Sequence, residues 1–279
     1  MPVNPAYRGF CSALDAIERG ADPWAAYERH YLRPHCDVLT AYWRQLWGAD
    51  EERVREIVNA IRPRDYQALR DSLRALDVDA FASEALGRCS ALTDLPEPQV
   101  DLLVGRFSPD AFLLEVAGQW HIGVGLERFA DFSHLPLFVA HEYGHCARRL
   151  LAPQSSTLGD RLVGEGAAVA FAQTAYPHQP LARHLRMSPR RLHDIRELEP
   201  KLWAALAPHL DAPDSDAFLG VVSGGRRWMD FPPRFGGCLG YWAMRHWAEV
   251  RGASPASREV LAAPTKAVLD TYLGHLRTT

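Results

Sequence analysis

The spacing of apolar residues divides the chain into long helical stretches and one short β-rich stretch. Up to Leu92, apolar and aromatic side chains recur three or four positions apart, a pattern that predicts amphipathic helices packed as a bundle. Helical segments are predicted at residues 50–61, 64–76 and 78–92. Asp22-Pro23 is typical of a helix start, because Asp caps a helix and Pro is tolerated in its first turn.

A short region of strand-like sequence follows. Prolines in the segment 94–98 interrupt the helical pattern, and three runs rich in Val, Leu, Ile and Phe come next: PQVDLLVGRF, AFLLEV and QWHIGVGLERF. Helical spacing then returns and continues to the end of the chain. The predicted fold class is therefore α+β and mainly α, with an N-terminal helical region, a small and mostly antiparallel sheet, and a helical C-terminal part.

The change of pattern near residue 95 is the predicted boundary between two regions. Residues 1–94 form the helical N-terminal region, and residues 95–279 form the second region. Nothing at the boundary is long or flexible enough to act as a linker, so the alternative is one compact unit.

Composition and charge exclude several classes of protein. Apolar residues make up 47% and charged residues 23% of the 279 residues, which is ordinary for a globular chain with a sizeable core. The net charge is −3, and acidic and basic residues are interspersed, which argues against a nucleic-acid surface. No apolar run approaches the ~20 residues that span a bilayer. We therefore expect neither nucleic acid nor a membrane as a partner.

The cysteines indicate a reducing compartment. There are five of them, far apart and never in a CxxC pair, which is typical of reduced thiols and not of a disulfide framework. The first residues, MPVNPAYRGFCSALDAIERG, lack the basic start and apolar run of a signal peptide. The predicted location is the cytoplasm.

The most informative segment is SHLPLFVAHEYGHCARRLLAP, at residues 133–153. Its apolar residues predict a largely buried helix. His141 and His145 are four residues apart, so both imidazoles project from one face and can reach one zinc ion at ~2.0–2.1 Å. Glu142 points beside the metal, where a carboxylate can accept a proton from zinc-bound water.

A third ligand is predicted twenty residues after His145. Glu165 lies in DRLVGEGAAVAFAQTAY, which reads as a second buried helix, and a carboxylate in such a setting needs a partner. Two histidines and one carboxylate leave an open position for water, as in a catalytic zinc site. The alternative is a chance HExxH motif on an ordinary helix. Gly144 argues against it, because glycine in mid-helix is unfavourable and suggests close approach of another backbone or a ligand.

HEYGH followed after this gap by a glutamate resembles the gluzincin metallopeptidases, of which thermolysin is the best-known member. The context of HIGVGLERF, AHEYGH, GEGAA and GGCLGYWAM, over about residues 95–250, resembles a bacterial family of zinc-dependent proteases whose function is not established. The resemblance implies zincin-like active-site helices, Zn²⁺ bound by His141, His145 and Glu165, and Glu142 as the general base.

One position departs from thermolysin. Val169 stands where an acidic residue would orient a zinc-bound histidine, so this support must come from elsewhere. Asp160 and Glu127 are the candidates.

The substrate side is less specific. Hydrolysis needs a hydrogen-bond donor for the developing oxyanion, and Tyr241 is the candidate, because the small residues before it leave room for a substrate. The alternative is an aromatic core residue. By analogy with gluzincin-like enzymes, Gln119–Gly125 is expected to be an edge strand that pairs with an extended substrate, with Gly123 and Gly125 allowing close approach. Alternatively, these glycines mark bulges or turns.

The predicted function is zinc-dependent hydrolysis of a peptide bond in a peptide or small protein. Two alternatives stay open: a zinc hydrolase of a non-peptide amide or another small molecule, and a binding module in which zinc is structural. Zinc is the expected metal for a His/His/Glu site, although cobalt or manganese could substitute.

Overall fold

A computed structural model describes residues 2–105, 108–152, 156–215, 218–222 and 228–278. The architecture is α+β and mainly α, as the apolar spacing predicts. The strands in these residues are β1 (Val3–Asn4), β2 (Gln99–Leu103), β3 (Ala111–Val116) and β4 (Gln119–Gly125). The α-helices are α1 (Tyr7–Glu18), α2 (Pro23–Tyr27), α3 (Cys36–Tyr42), α4 (Glu51–Asn59), α5 (Gln67–Ala75), α6 (Val78–Ser90), α7 (Leu135–Leu151), α8 (Leu158–Ala175), α9 (Leu181–His184), α10 (Pro189–Glu197), α11 (Glu199–Leu206), α12 (Leu219–Val222), α13 (Gly236–Arg251), α14 (Arg258–Leu261) and α15 (Thr265–Leu276).

Shorter helical turns complete the described secondary structure. They are π-helical at Glu28–Leu32 and Trp43–Trp47, and 3₁₀-helical at Arg33–His35, Pro63–Tyr66, Leu126–Arg128, Phe132–His134 and Ala207–His209. Within the described ranges, none of the helices is both long and apolar enough to cross a bilayer.

Contacts between Cα atoms group the chain into two compact units. The first comprises Met1–Gly87 and Pro96–Glu142, and the second comprises Arg88–Leu95 and Tyr143–Thr279. This grouping differs from the predicted boundary at residue 95, because the sheet belongs with the N-terminal helices. The division after Glu142 falls inside α7, which is one continuous helix.

The sheet of the first unit has the strand order β1-β2-β4-β3. β1 is parallel to β2, and β2 is parallel to β4, with Val3 opposite Val100 and Gln99 opposite His121. Only β3 and β4 form an antiparallel pair among the described strands. The prediction of a mostly antiparallel sheet is therefore wrong. The reason is that β3 pairs with the far side of β4, so β2 lies beside a strand that runs in its own direction.

β4 lies inside this sheet and not at its edge. Most of its residues pair with β2 on one side and with β3 on the other. The prediction that Gln119–Gly125 is an edge strand open to a substrate is therefore wrong. Its glycines serve internal packing instead: a Cβ on Gly123 would overlap the Phe112 ring, and a Cβ on Gly125 would overlap the Ser108 side chain.

Buried tyrosines on the helices of the first unit form hydrogen bonds with the residues that directly follow β2. The Tyr31 hydroxyl accepts a hydrogen bond from the Val104 amide and donates one to the Val104 carbonyl, both at 3.0 Å. The Tyr42 hydroxyl donates to the Gly105 carbonyl at 2.9 Å. Both tyrosines are fully buried, so the predicted aromatic core of the N-terminal helices is confirmed.

Glycines let two long helices of the second unit touch at their backbones. A Cβ on Gly166 of α8 would overlap the backbone of Gly240 in α13, and a Cβ on Gly240 would overlap the Leu162 carbonyl. Only glycine fits at such a crossing. The contact places α8, which carries Glu165, firmly against α13, and α8 is buried along most of its length.

Candidate metal centre

The two histidines of HEYGH lie on helix α7. They are four residues apart, so the helical repeat places both rings on one face about one turn apart. His141 is buried, with 7% of its surface exposed, and His145 is partly exposed. Because α7 runs unbroken through both residues, their spacing follows from the helix alone.

Gly144 allows α8 to approach α7 closely. A Cβ on Gly144 would lie 2.8 Å from the Cα of Ala168, nearer than side chains normally pack. The neighbouring Tyr143 stacks on Phe171, with ring centroids 5.3 Å apart. The predicted close approach of another backbone at Gly144 is therefore confirmed. Since Glu165 lies about one turn before Ala168, this contact brings its carboxylate beside α7.

His141, His145 and Glu165 form a compact group of potential metal ligands. One ligand atom from each lies within 4.8 Å of the others, and His145 Nε2 is 3.6 Å from Glu165 Oε1. Ligand atoms around a tetrahedral zinc ion lie about 3.3–3.5 Å apart, given bonds of 2.0–2.2 Å. Small side-chain rotations would bring the group to that geometry. Two imidazoles and one carboxylate also make up a donor set typical of catalytic zinc, so these residues fit the ion.

Glu142 follows His141 on the same helix and is 7% exposed. Successive residues of an α-helix are rotated by about 100°, so Glu142 points to one side of the histidine face. The role of Glu142 as a general base beside the metal stays a prediction.

A cleft of about 530 Å³ opens beside the candidate ligands. His145 and Glu165 line it. Its other lining residues are mostly polar or charged: Arg148, Arg149, Ser156, Thr157, Asp160, Arg161, Gly164 and Asp214. Gly164 is buried, yet a Cβ there would meet no described atom within 4 Å outside its own helix, as expected beside a hollow. Two of the three potential ligands, His145 and Glu165, therefore face a space that a small molecule can enter.

Tyr241 lies at the crossing of α13 with α8. Its hydroxyl donates a hydrogen bond to the Gln173 side chain. Gln173 comes eight residues after Glu165, about 12 Å along the axis of α8. Burial raises the pKa of the Tyr241 hydroxyl above its ordinary value of 10, at which a phenol is already a proton donor at neutral pH. The oxyanion role stays a prediction. It requires the Tyr241 hydroxyl to break its hydrogen bond to Gln173 and to donate one to the substrate instead.

The two carboxylates predicted to support a zinc-bound histidine have other partners. Asp160 accepts hydrogen bonds from the hydroxyls of Thr157 and Thr265. In the first unit, Glu127 accepts one from the Ser108 hydroxyl at 2.6 Å. The bonds of Asp160 connect the start of α8 with the start of α15, and support of a zinc ligand by either carboxylate stays a prediction.

Arg148 lines the cleft in a role that the apolar pattern does not reveal. It is 2% exposed and donates to the carbonyl oxygens of Leu261 and Ala263 and to the Thr265 hydroxyl. Because Arg148 lies about one turn after His145, it fixes this end of α7 to the segment leading into α15. The sequence carries no signal that distinguishes this buried arginine from its exposed neighbour Arg149.

The fold and the site together define a mainly helical α+β protein with a His-His-Glu group on two packed helices. A family model described as "Predicted Zn-dependent protease (DUF2268)" matches residues 114–270, more than half of the chain. The chain belongs to this family, which confirms the predicted resemblance to a family of zinc-dependent proteases. The comparisons with curated proteins and with solved structures found no match.

Proposed function

We propose that this protein is a zinc-dependent metallopeptidase of the gluzincin type. His141, His145 and Glu165 hold the metal, and Glu142 is the general base. The observation that carries the proposal is the grouping of three ligand atoms within 4.8 Å on two packed helices. The description of the family supports both zinc and proteolysis.

The chemistry follows from the residue types. Zinc held by this group supplies Lewis acidity toward water and toward a carbonyl oxygen. The two histidines act as neutral ligands and Glu165 as an ionised one. Glu142 accepts a proton from the attacking water and returns it to the leaving amine. Because Glu142 is 7% exposed, bulk water has little access to the proton it carries.

The cleft favours a short, unfolded segment as substrate. Its volume of about 530 Å³ lies within the usual range of ligand pockets, roughly 300–1,000 Å³. Such a space accommodates a few residues of an extended chain but not a folded domain. A peptide, or a flexible part of a small protein, is therefore the proposed substrate, with Tyr241 as the proposed donor to the oxyanion. The proposed location is the cytoplasm, from the cysteine pattern.

The test compares wild type with Glu142→Gln on a pool of short peptides, after zinc content has been matched. We expect the variant to keep zinc and to lose hydrolysis by at least ~100-fold, the usual contribution of a general base. Glu52→Gln is the matched control, since Glu52 is an exposed residue of α4. Cleavage of small amides but not of peptides would favour the non-peptide hydrolase. Bound zinc without any hydrolysis by wild type would favour the structural zinc module.

A further inference from the structure

Three arginines line the cleft beside the candidate ligands, and they differ in environment. Arg148 is 2% exposed, and the carbonyl oxygens of Leu261 and Ala263 accept its hydrogen bonds, so it is part of the framework. Arg149 is exposed and Arg161 is partly exposed. These last two residues therefore line the cleft and are accessible from solvent.

Arg149 and Arg161 each lie one helical turn from a candidate ligand. Arg149 follows His145 by four residues on α7, and Arg161 precedes Glu165 by four residues on α8. Residues at this spacing share a helix face, with Cβ atoms about 5–6 Å apart. An extended peptide advances about 3.3–3.6 Å per residue. Both side chains can therefore reach a group about two residues from a peptide bond held at the metal.

The position of Arg161 is set by an ion pair. Its Nη1 lies 2.9 Å from both carboxylate oxygens of Asp214, and the two side chains are 25% and 27% exposed. The guanidinium is thus oriented and still accessible from solvent. Gly164 lies three residues further along α8, and no described atom comes within 4 Å of its Cβ position, so the described residues leave room for a ligand beside Arg161.

The charge of the cleft favours an anion once a divalent cation is bound by the candidate ligands. Three arginines face two aspartates, Asp160 and Asp214, while Glu165 is directed at the candidate metal position. The three arginines balance the three carboxylates of the wall, Glu165 included, and a divalent cation at that position gives the wall a net positive charge. Such a concave surface attracts negatively charged groups.

We propose that this wall is a substrate subsite for a carboxylate, bound by Arg149 and Arg161. The inference rests on the proposed function and adds a substrate class to it: peptides with a carboxylate about two residues from the cleaved bond. An acidic side chain and a free C-terminus share this chemistry, since both accept charge-assisted hydrogen bonds from a guanidinium. The experiment therefore separates the two sources.

The probes are two pairs of short peptide pools with acetylated N-termini. In the first pair both pools have amidated C-termini, and one carries a fixed Glu where the other carries a fixed Gln. In the second pair neither pool has an acidic side chain, and one has a free C-terminus where the other has an amidated one. We expect wild type to show about tenfold higher kcat/KM on at least one carboxylate pool, a difference of about 1.4 kcal/mol. The pool that shows it identifies the source of the carboxylate.

The variants test the two arginines separately. The first variant is Arg149→Gln. The second combines Arg161→Gln with Asp214→Asn, so that no carboxylate is left unpaired. Each should keep zinc and reduce the preference for the carboxylate pool to about twofold or less. Arg190→Gln removes the same charge from an exposed site on α10 and should keep the full preference. A preference that survives both cleft variants would overturn the subsite.

Binding separates failure of the subsite from failure of the proposed function. Zinc-bound Glu142→Gln is titrated with the same pools, with and without Arg149→Gln. Cleavage by wild type without any charge preference overturns the subsite and leaves the peptidase intact. A second outcome is that no peptide is cleaved, yet a carboxylate pool binds about tenfold more tightly and loses this advantage with Arg149→Gln. This outcome supports the subsite and overturns the proposed peptidase activity. Absence of both cleavage and binding preference overturns both.

Discussion

The Cα of Ala168 lies only 2.8 Å from the position that a Cβ on Gly144 would occupy. This contact sets how closely α7 and α8 approach each other. It thereby also sets the 3.6 Å between His145 Nε2 and Glu165 Oε1, because each of these residues lies within one turn of the contact. The candidate metal centre therefore depends on a glycine that is not itself a ligand.

Gly144→Ala should weaken both the fold and zinc binding. The added methyl group forces α8 away from α7, and overpacking of this kind costs about 1–3 kcal/mol. The same displacement moves Glu165 away from the histidines, so the zinc dissociation constant should rise at least several-fold. Urea unfolding and zinc titration against a competing chelator measure the two effects.

Gly87→Ala is the matched control for this substitution. Gly87 is an exposed residue of α6, and a Cβ there would have open space as far as the described residues show. This change should stabilise the protein by about 0.4–1 kcal/mol, because alanine loses less backbone entropy on folding than glycine. A Gly144→Ala variant that behaves like Gly87→Ala would show that α7 and α8 are not closely packed.

Tyr241→Phe tests the predicted oxyanion donor. If the hydroxyl donates to the developing oxyanion, kcat should fall about 100-fold or more with zinc content unchanged. Gln173→Leu removes the present hydrogen-bond acceptor and leaves the hydroxyl in place, so it should retain most of kcat. If Tyr241→Phe lowers only the stability, Tyr241 is a packing residue.

His184 is expected to make the stability of the fold depend on pH. It is 5% exposed, and burial lowers its pKa below the usual 6.5. The unfolded chain therefore binds the proton first, and the free energy of unfolding should decrease as the pH falls below about 6.5. Urea unfolding at pH 7.5 and pH 5.5 should show a smaller decrease in His184→Gln than in wild type.

Comparison with wild type at each pH cancels the contribution of the other histidines to this effect. His193→Gln is the control, since His193 is an exposed residue of α10, and it should follow wild type. If His184→Gln also follows wild type, burial of His184 does not contribute to the pH dependence.

The candidate ligands could be predicted from the sequence because their chemistry is mostly local. One helical turn separates His141 from His145, and this spacing needs no knowledge of the rest of the fold. Glu165 was predicted from a different principle, the need of a carboxylate on an apolar helix for a partner. Gly144 joins the two inferences, since its unfavourable position in a helix indicated the close backbone approach that Ala168 provides.

The sheet could not be predicted to the same degree, because its pairing depends on distant residues. β1 is two residues long and has no periodicity to detect, yet Asn4 donates a 2.8 Å hydrogen bond to the buried Asp101 on β2. The interior position of β4 likewise depends on which strands flank it. Its Gly123 suggested an open edge, whereas the ring of Phe112 occupies that space.

The most direct test measures the zinc content of purified wild type and of the variants His145→Ala and Glu165→Ala. The variant His193→Ala is the control outside the site. Wild type and the control should bind about one zinc ion per chain, as for a single His-His-Glu site. Both ligand variants should lose most of it. A wild type that cannot be loaded with zinc, or ligand variants that bind as much as wild type, would contradict the proposed metal centre.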